Sequence, residues 1–235
     1  DHSYWSLRQS LKTEMLAEVR RRVILQHRRN GCSEALIERL TQHLTPRETD
    51  ILTIGFARRF ATYKRATLLF ADPARLARLL NDPKHPCLLI FAGKAHPHDL
   101  PAQQLIKVIH EYSRRPEFEG RIILLEGYDQ ALARKLVTSV DVWLNTPEYP
   151  LEASGTSGEK AGINGVINLS VLDGWWDEGY NGENGWAITP HGASVDAHYR
   201  DREEGQELLD ILEKQVLPLY YERNGHGFSE AWVRK

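Results

Sequence analysis

The chain has 235 residues, a net charge of −2, two cysteines and a hydrophobic fraction of 41%. That length suits one α/β domain with appendages and a substantial core, and the near-neutral charge gives no general attraction to nucleic acid or to an anionic lipid surface. No apolar run reaches a membrane span, no signal-peptide pattern opens the sequence, and Cys32 and Cys87 form no motif, so a reduced, cytoplasmic setting is expected.

Residues from about Tyr4 to Arg29 are predicted as a helix, because Leu7, Leu11, Met15, Val19 and Val23 recur at helical spacing and Arg20, Arg21 and Arg22 cluster late in it. Asn30-Gly31 stops that helix. A second one, capped by Ser33, runs to His43, and Pro46 marks a boundary. From there the rhythm changes. Apolar runs at Ile51–Phe56, Cys87–Ala92, Ile122–Leu125 and Val140–Leu144 read as strands, and helices are expected over Lys64–Leu80, Leu100–Arg114 and Asp129–Thr138. A helix after Thr156 and a fifth strand over Val166–Leu172 continue the alternation. Strands that are apolar throughout and alternate with helices imply a Rossmann-like parallel sheet with helices on both faces. Asp173–Gly185 reads as loop. Glu203–Tyr221 reads as a last helix, interrupted at Pro218, whose Leu208, Leu209, Leu212 and Val216 suit docking on the sheet. The expected organisation is a helical segment over 1–45, the Rossmann-like domain over 46–200, and a C-terminal helix over 201–235 that packs back. A start at Asp1 rather than methionine suggests a fragment or a processed form.

Sheets of this kind bind ligands beyond the carboxyl ends of their strands. That edge carries Arg58–Lys64, Gly93–Asp99, Glu126–Tyr128 and Glu152–Lys160. The last segment reads Glu-Ala-Ser-Gly-Thr-Ser-Gly-Glu-Lys. Its small residues leave backbone N–H groups open where a helix begins, which makes an anion site. Lys160 at the far edge could carry a cofactor as a Schiff base, and the carboxylate of Glu152 stands at the entrance. The plain alternative is a flexible loop with a solvated lysine. The run Arg58-Arg-Phe-Ala-Thr-Tyr-Lys-Arg65 puts four basic groups at an expected helix start, where the macrodipole disfavours them. Two phosphates held close together would explain that arrangement; a solvated basic turn is the plainer reading.

The Glu152–Lys160 segment resembles the pyridoxal-phosphate lysine segment of the α-glucan phosphorylases, the family of glycogen, starch and maltodextrin phosphorylase. The resemblance runs from about Ile51 to Ile188, more loosely beyond. It implies the C-terminal half of a two-domain GT-B-type glycosyltransferase with its active site between the domains. The implied reaction is reversible phosphorolysis of an α-1,4-glucan to glucose 1-phosphate. By this resemblance Lys160 holds pyridoxal 5′-phosphate covalently, and Thr156 and Ser157 receive its phosphate at the helix start. Glu152, Ala153, Ser154 and Gly155 bind the glucosyl unit. Arg59 and Lys64 bind the substrate phosphate, Arg58 contacts the cofactor phosphate, and Tyr128 lies beside the cofactor. Arg59, Lys64 and Glu152 form the implied catalytic set. The implied partners are glycogen, starch or maltodextrin, inorganic phosphate, glucose 1-phosphate and the N-terminal domain of the same enzyme, with no nucleic acid and no membrane. The full-length enzyme is open to being a homo-oligomer, and the fragment alone is expected to be inactive.

Two alternatives belong to other classes. A nucleotide-sugar glucosyltransferase of the glycogen or starch synthase kind shares the fold. Such retaining enzymes often carry two glutamates with seven residues between them, but counting from Glu152 reaches Lys160, and Glu159 falls one place early. A non-catalytic carbohydrate-binding module would leave Lys160 idle. Ala92-Gly-Lys-Ala-His-Pro97 matches a family segment, which accounts for His96, His98 and Asp99 without a metal. The family often has arginine after the aromatic at 128, whereas this chain has Asp129. Leu44–Leu52 superficially resembles the start of a helix-turn-helix, but a strand follows and the charge is unsuited to DNA. Trp175, Trp176 and Tyr180 could stack on sugar rings, but packing or an interdomain surface is the plainer reading, and Asp173-Gly174 matches a family position.

Overall fold

Residues in the strands alternate between two apolar environments, so that the sheet is buried on both sides. The computed structural model describes residues 1–45 and 50–235. The predicted boundary at Pro46 and the middle of the Leu44–Leu52 run fall outside them. Along the chain come α1 (His2–Arg29), α2 (Glu34–Thr41), β1 (Leu52–Ala57), α3 (Pro73–Leu80), β2 (Cys87–Ala92), α4 (Leu100–Ser113) and β3 (Ile122–Leu125). They are followed by α5 (Gln130–Ser139), β4 (Val142–Asn145), α6 (Thr156–Ile163), β5 (Ile167–Val171), α7 (Trp175–Gly179) and β6 (Gly185–Ile188). The chain closes with α8 (Ala197–Ile211), α9 (Leu217–Tyr221) and α10 (Glu230–Arg234). The six strands are all parallel, in the order β3-β2-β1-β4-β5-β6. The expected Rossmann-like sheet is therefore present. The chain order reverses between β1 and β4, and at that switch point the loops leaving the two strands open a crevice.

Cys87, Leu89 and Phe91 of β2 face one cluster with α3, α4 and α8, while Leu88, Ile90 and Ala92 face the other with α1, α2 and α5. This is the period-two alternation of a strand, hidden in the sequence because both faces are apolar. Ser33, Asp72, Asp99, Asp129 and Asp196 cap their helices by accepting a backbone N–H, each supplying a bond that the first turn cannot make for itself.

Three local expectations are corrected. Lys64–Leu80 is not one helix: two short 3₁₀ turns, Thr62–Lys64 and Leu68–Ala71, precede α3. Asp72-Pro73 restarts the helix as cap and first residue, the pairing that the leucine spacing concealed. Asp173–Gly185 contains the one-turn helix α7 and leads into β6, a four-residue strand beginning at glycine that pairs with β5. The last long helix begins at Ala197, well before Glu203. Its axis loosens into a π turn, Leu212–Val216, just ahead of Pro218, whose missing N–H breaks the regular ladder.

The buried face of α1 also differs. Leu7 is exposed, and Arg8 and Lys12 are buried in its place. Trp5 belongs to the first cluster and Met15 to Val23 to the second, so α1 passes the amino end of the sheet where those two side chains lie. Arg8 donates to the carbonyls of Thr138, Val140 (2.8 Å) and Asn164 (2.9 Å), placing a cation at the negative carboxyl ends of α5 and α6. Lys12, wholly buried, pairs with Asp141 at 2.9 Å and also donates to Ile51 O and to the Tyr220 hydroxyl. Burial pulls its amine below the usual lysine range, against the pull of Asp141. At the other end of α1, the amide of Gln26 donates to Leu124 O (2.8 Å) and accepts from Glu126 N–H (3.0 Å).

Candidate active site

The loops after β1, β4 and β5 meet at the switch point. Beyond Ala57 the backbone keeps pairing with the β2 loop, through Arg58 N–H to Ala92 O (3.1 Å) and Phe60 N–H to Lys94 O (3.0 Å). Gly93 permits this close approach, since a Cβ there would lie 2.0 Å from Arg58 O. The chain then turns through Thr62–Lys64 and into Arg65, the one described residue other than glycine with a left-handed backbone, at φ 44°. Such a conformation persists only when its surroundings over-determine it. Arg65 is buried, donates to Thr146 O (3.0 Å) and Pro147 O (2.7 Å), and pairs with Asp201 (2.8 Å) and Glu204 of α8. Thr146 answers by donating to the Lys64 carbonyl at 3.0 Å. These bonds fix the turn that delivers Lys64.

Glu152 is the meeting point. Its carboxylate accepts from Arg58 Nη2 at 2.7 Å and from Lys64 Nζ at 2.9 and 3.0 Å, with all three side chains about nine-tenths buried. Arg58 Nη1 donates to Asn145 Oδ1 at the end of β4 (2.7 Å), while its Nε is buried without a partner. Two cations thus share one carboxylate in a part-buried recess. There each charge interacts more strongly than it would in water, and a net positive charge remains available to an anion.

Next to this cluster α6 begins. Gly155 precedes it in a left-handed conformation (φ 84°), and the first helical bond is Gly158 N–H to Gly155 O at 3.0 Å. The N–H groups of Thr156 and Ser157 are left outside the helix's own bonding, aligned with the positive end of its dipole. Ser157 Oγ accepts from Trp143 Nε1 at 3.2 Å, and Ser154 Oγ donates to Glu159 at 3.4 Å. A Cβ at Gly158 would lie 2.6 Å from Trp175 Nε1, so α6 and α7 pack backbone to ring.

Of the residues singled out in the sequence, the structure brings Arg58, Lys64 and Glu152 into direct contact. Ser154, Gly155 and Ser157 are half-buried beside them, and Ala153 and Thr156 are exposed on the same loop and helix start. Tyr128 is half-buried. Its hydroxyl donates to Ala57 O at 3.3 Å, and burial raises its pKa while Arg58 opposes the rise. Arg59 is exposed, as is Lys160 in the second turn of α6, and both stand outside the Glu152 cluster. The basic run lies on a loop and a 3₁₀ turn rather than at the start of a long helix, so the expected macrodipole conflict does not arise. Sequence reading missed Asn145, took Arg65 only as one of the four basic groups of its run, and left Asp173 as a bare family match. Asp173 is buried and its carboxylate accepts the Glu152 N–H at 2.9 Å; burial pushes its pKa up. His96 and His98 have rings 5.5 Å apart, and no group of three or more His, Cys, Asp or Glu among the described residues is placed to hold a metal.

The sequence model of one family, described as carbohydrate phosphorylase, matches residues 10–179. The chain belongs to the carbohydrate phosphorylase family. It is 45% identical over 222 residues to the maltodextrin phosphorylase of Thermococcus litoralis, covering 94% of this chain and 26% of that one. Over 186 residues it is 50% identical to the glycogen phosphorylase of Aquifex aeolicus, covering 79% and 26%. Against the glycogen phosphorylase of Mycobacterium tuberculosis strain H37Rv it is 43% identical over 229 residues, covering 97% and 26%. This phosphorylase chain therefore spans about a quarter of the length of these relatives. Among solved structures it is similar to Anabaena Alr3699/HepE in complex with UDP-glucose, with a TM-score of 0.56 and 21% identity over 86% of this chain and 47% of that one. The complex of the same protein with UDP and glucose gives a TM-score of 0.53 at 20% identity, over 86% and 46%. At that identity the likeness concerns the fold, that of GT-B glycosyltransferases. The phosphorylase relatives do not favour the nucleotide-sugar transferase alternative.

Proposed function

We propose that this chain is the C-terminal, cofactor-binding part of an α-1,4-glucan phosphorylase. The full-length enzyme converts the non-reducing end of glycogen, starch or maltodextrin and inorganic phosphate into glucose 1-phosphate, reversibly. The observation that carries this reading is the Arg58–Glu152–Lys64 cluster at the switch point, set against the open N-terminus of α6. Pyridoxal 5′-phosphate is the cofactor we infer, and the groups present suit it. The buried Nε of Arg58 lacks a partner, the first-turn N–H groups of α6 suit a phosphate, and Lys160 offers an exposed primary amine one turn further on. The chemistry this group would supply when bound is a phosphate able to exchange a proton with the substrate phosphate.

The chain's own residues do the rest. Thr156, Ser157 and Arg58 hold the cofactor phosphate, and Lys160 anchors the cofactor. Arg59 and Lys64 hold the substrate phosphate against the repulsion of its neighbour, inside a recess where each contact counts for more than at a surface. Glu152 turns from its cations toward the sugar hydroxyls, and with Ala153, Ser154 and Gly155 it orients the ring for the developing positive charge at its anomeric carbon. Tyr128 flanks the cofactor. The remaining parts of the site belong to the N-terminal domain, so the isolated chain lacks phosphorolysis. We infer a cytoplasmic enzyme: Cys32 and Cys87 are free thiols, and no helix of the described residues is long and apolar enough to cross a membrane. The test is borohydride reduction of the full-length protein followed by peptide mass mapping. A reduced pyridoxyl group is expected on Lys160; its absence, or its presence on another lysine, overturns the assignment.

A further inference from the structure

We propose that Asp173, which the phosphorylase reading leaves without a role, is the positioning residue for sugar recognition. It would set the backbone of the Glu152–Gly155 loop from the neighbouring strand. The proposal rests on the function given above. The two oxygens of Asp173 divide their work: Oδ2 accepts the Glu152 N–H at 2.9 Å and Oδ1 accepts the Gly174 N–H at 2.9 Å. Two residues on, Trp175 N–H donates to Ser154 O at 2.8 Å. Asp173 and Trp175, on either side of Gly174, thus hold the Glu152–Ser154 segment at both ends. The fit between them is tight, because a Cβ on Gly174 would lie 2.4 Å from Ser154 O and 3.1 Å from Glu152 O. The held segment lies between β4 and α6, with Leu151 and Ala153 exposed.

Glu152 is therefore held twice, by different elements. Its carboxylate answers to Arg58 and Lys64 after β1, and its backbone answers to Asp173 after β5. Removing the second hold shifts the backbone of the groups read as sugar-binding, while Arg58 keeps its own bond to Asn145 and the turn that carries Lys64 keeps its bonds to Thr146. A carboxylate is the fitting acceptor, since hydrogen bonds to an ionised group are the stronger kind.

The test uses the full-length holoenzyme with Asp173→Asn and Asp173→Ala. The asparagine keeps the shape and one acceptor, so its effect should be the milder. For Asp173→Asn, kcat/KM for the glucan should fall about 10- to 100-fold, the loss of one charge-assisted hydrogen bond, while KM for phosphate stays within about threefold. Independently of activity, amide exchange in peptides covering residues 150–155 of Asp173→Ala should speed up at least about tenfold, with peptides from α1 and α5 unchanged. Equal losses toward glucan and phosphate would overturn the proposal, as would unchanged exchange in the loop. If the wild-type enzyme shows no phosphorolysis, the activity reading fails instead, and the exchange comparison still decides whether Asp173 sets the loop.

Discussion

Replacing Lys12 by Met would test how the amino end of the sheet is held. The methionine keeps an apolar stem of similar length and removes the ammonium. Asp141 then retains the Thr53 N–H (2.8 Å) and hydroxyl (2.9 Å) as donors but loses its counter-ion while 6% exposed. A buried pair adds little net stability compared with an apolar substitute, because desolvation offsets the attraction; breaking it from one side leaves a buried charge uncompensated, at about 3–5 kcal/mol. With a urea m-value of about 3 kcal/mol/M, the midpoint should fall by roughly 1–2 M. Adding Asp141→Asn to Lys12→Met removes the stranded charge and keeps an acceptor for the Thr53 N–H, so the double variant should recover at least about half of the loss. The assay is equilibrium urea unfolding of the wild type, both single variants and the double variant at pH 7. A single-variant loss under about 1 kcal/mol, or a double variant as unstable as the sum of the singles, would refute the view that Lys12 and Asp141 act as one buried unit.

Two further outcomes are expected. Glu18 is held down to about pKa 2, chiefly by its hydrogen bond from Arg21, with Arg22 assisting and desolvation opposing. Because its folded pKa lies below the unfolded value near 4.5, its contribution is present in full above that value and is lost as pH falls toward 2. The melting-temperature gap between wild type and Glu18→Gln should therefore be constant above about pH 5 and close on acidification; a gap that widened toward acid would contradict the pairing. Gly93→Ala should destabilise the protein by about 1–3 kcal/mol and loosen Arg58, since its Cβ meets Arg58 O and the Phe60 ring. Gly127→Ala, where nothing lies within 4 Å and only the left-handed φ of 66° resists, should cost about 1 kcal/mol or less. Equal thermal shifts for the two glycine variants would remove the steric explanation.

The sheet was legible because β1 to β5 are apolar enough to be buried on both faces, and the helices between them could be told apart by their spacing. β6 escaped notice because Gly185-Trp-Ala-Ile188 is short, begins with glycine and follows a run of Asn and Gly. The face of α1 was misjudged because Arg8 and Lys12 owe their burial to carbonyls and a carboxylate some 130 residues away, partners that periodicity cannot reveal. The same distinction runs through the candidate site. Arg58, Lys64 and Glu152 stood out as charges at a ligand edge. Asn145 and Asp173 act by receiving N–H groups from other loops, and Arg65 by filling a strained turn, so their roles emerge only once those loops meet.

The side-chain amide of Gln26 bears on how the molecule behaves among copies of itself. β3 is an outer strand, and Leu124 O and Glu126 N–H are groups that an incoming chain would need in order to extend the ladder. By bonding to both, one glutamine stands in for a length of missing strand and blocks that rim as a template for aggregation.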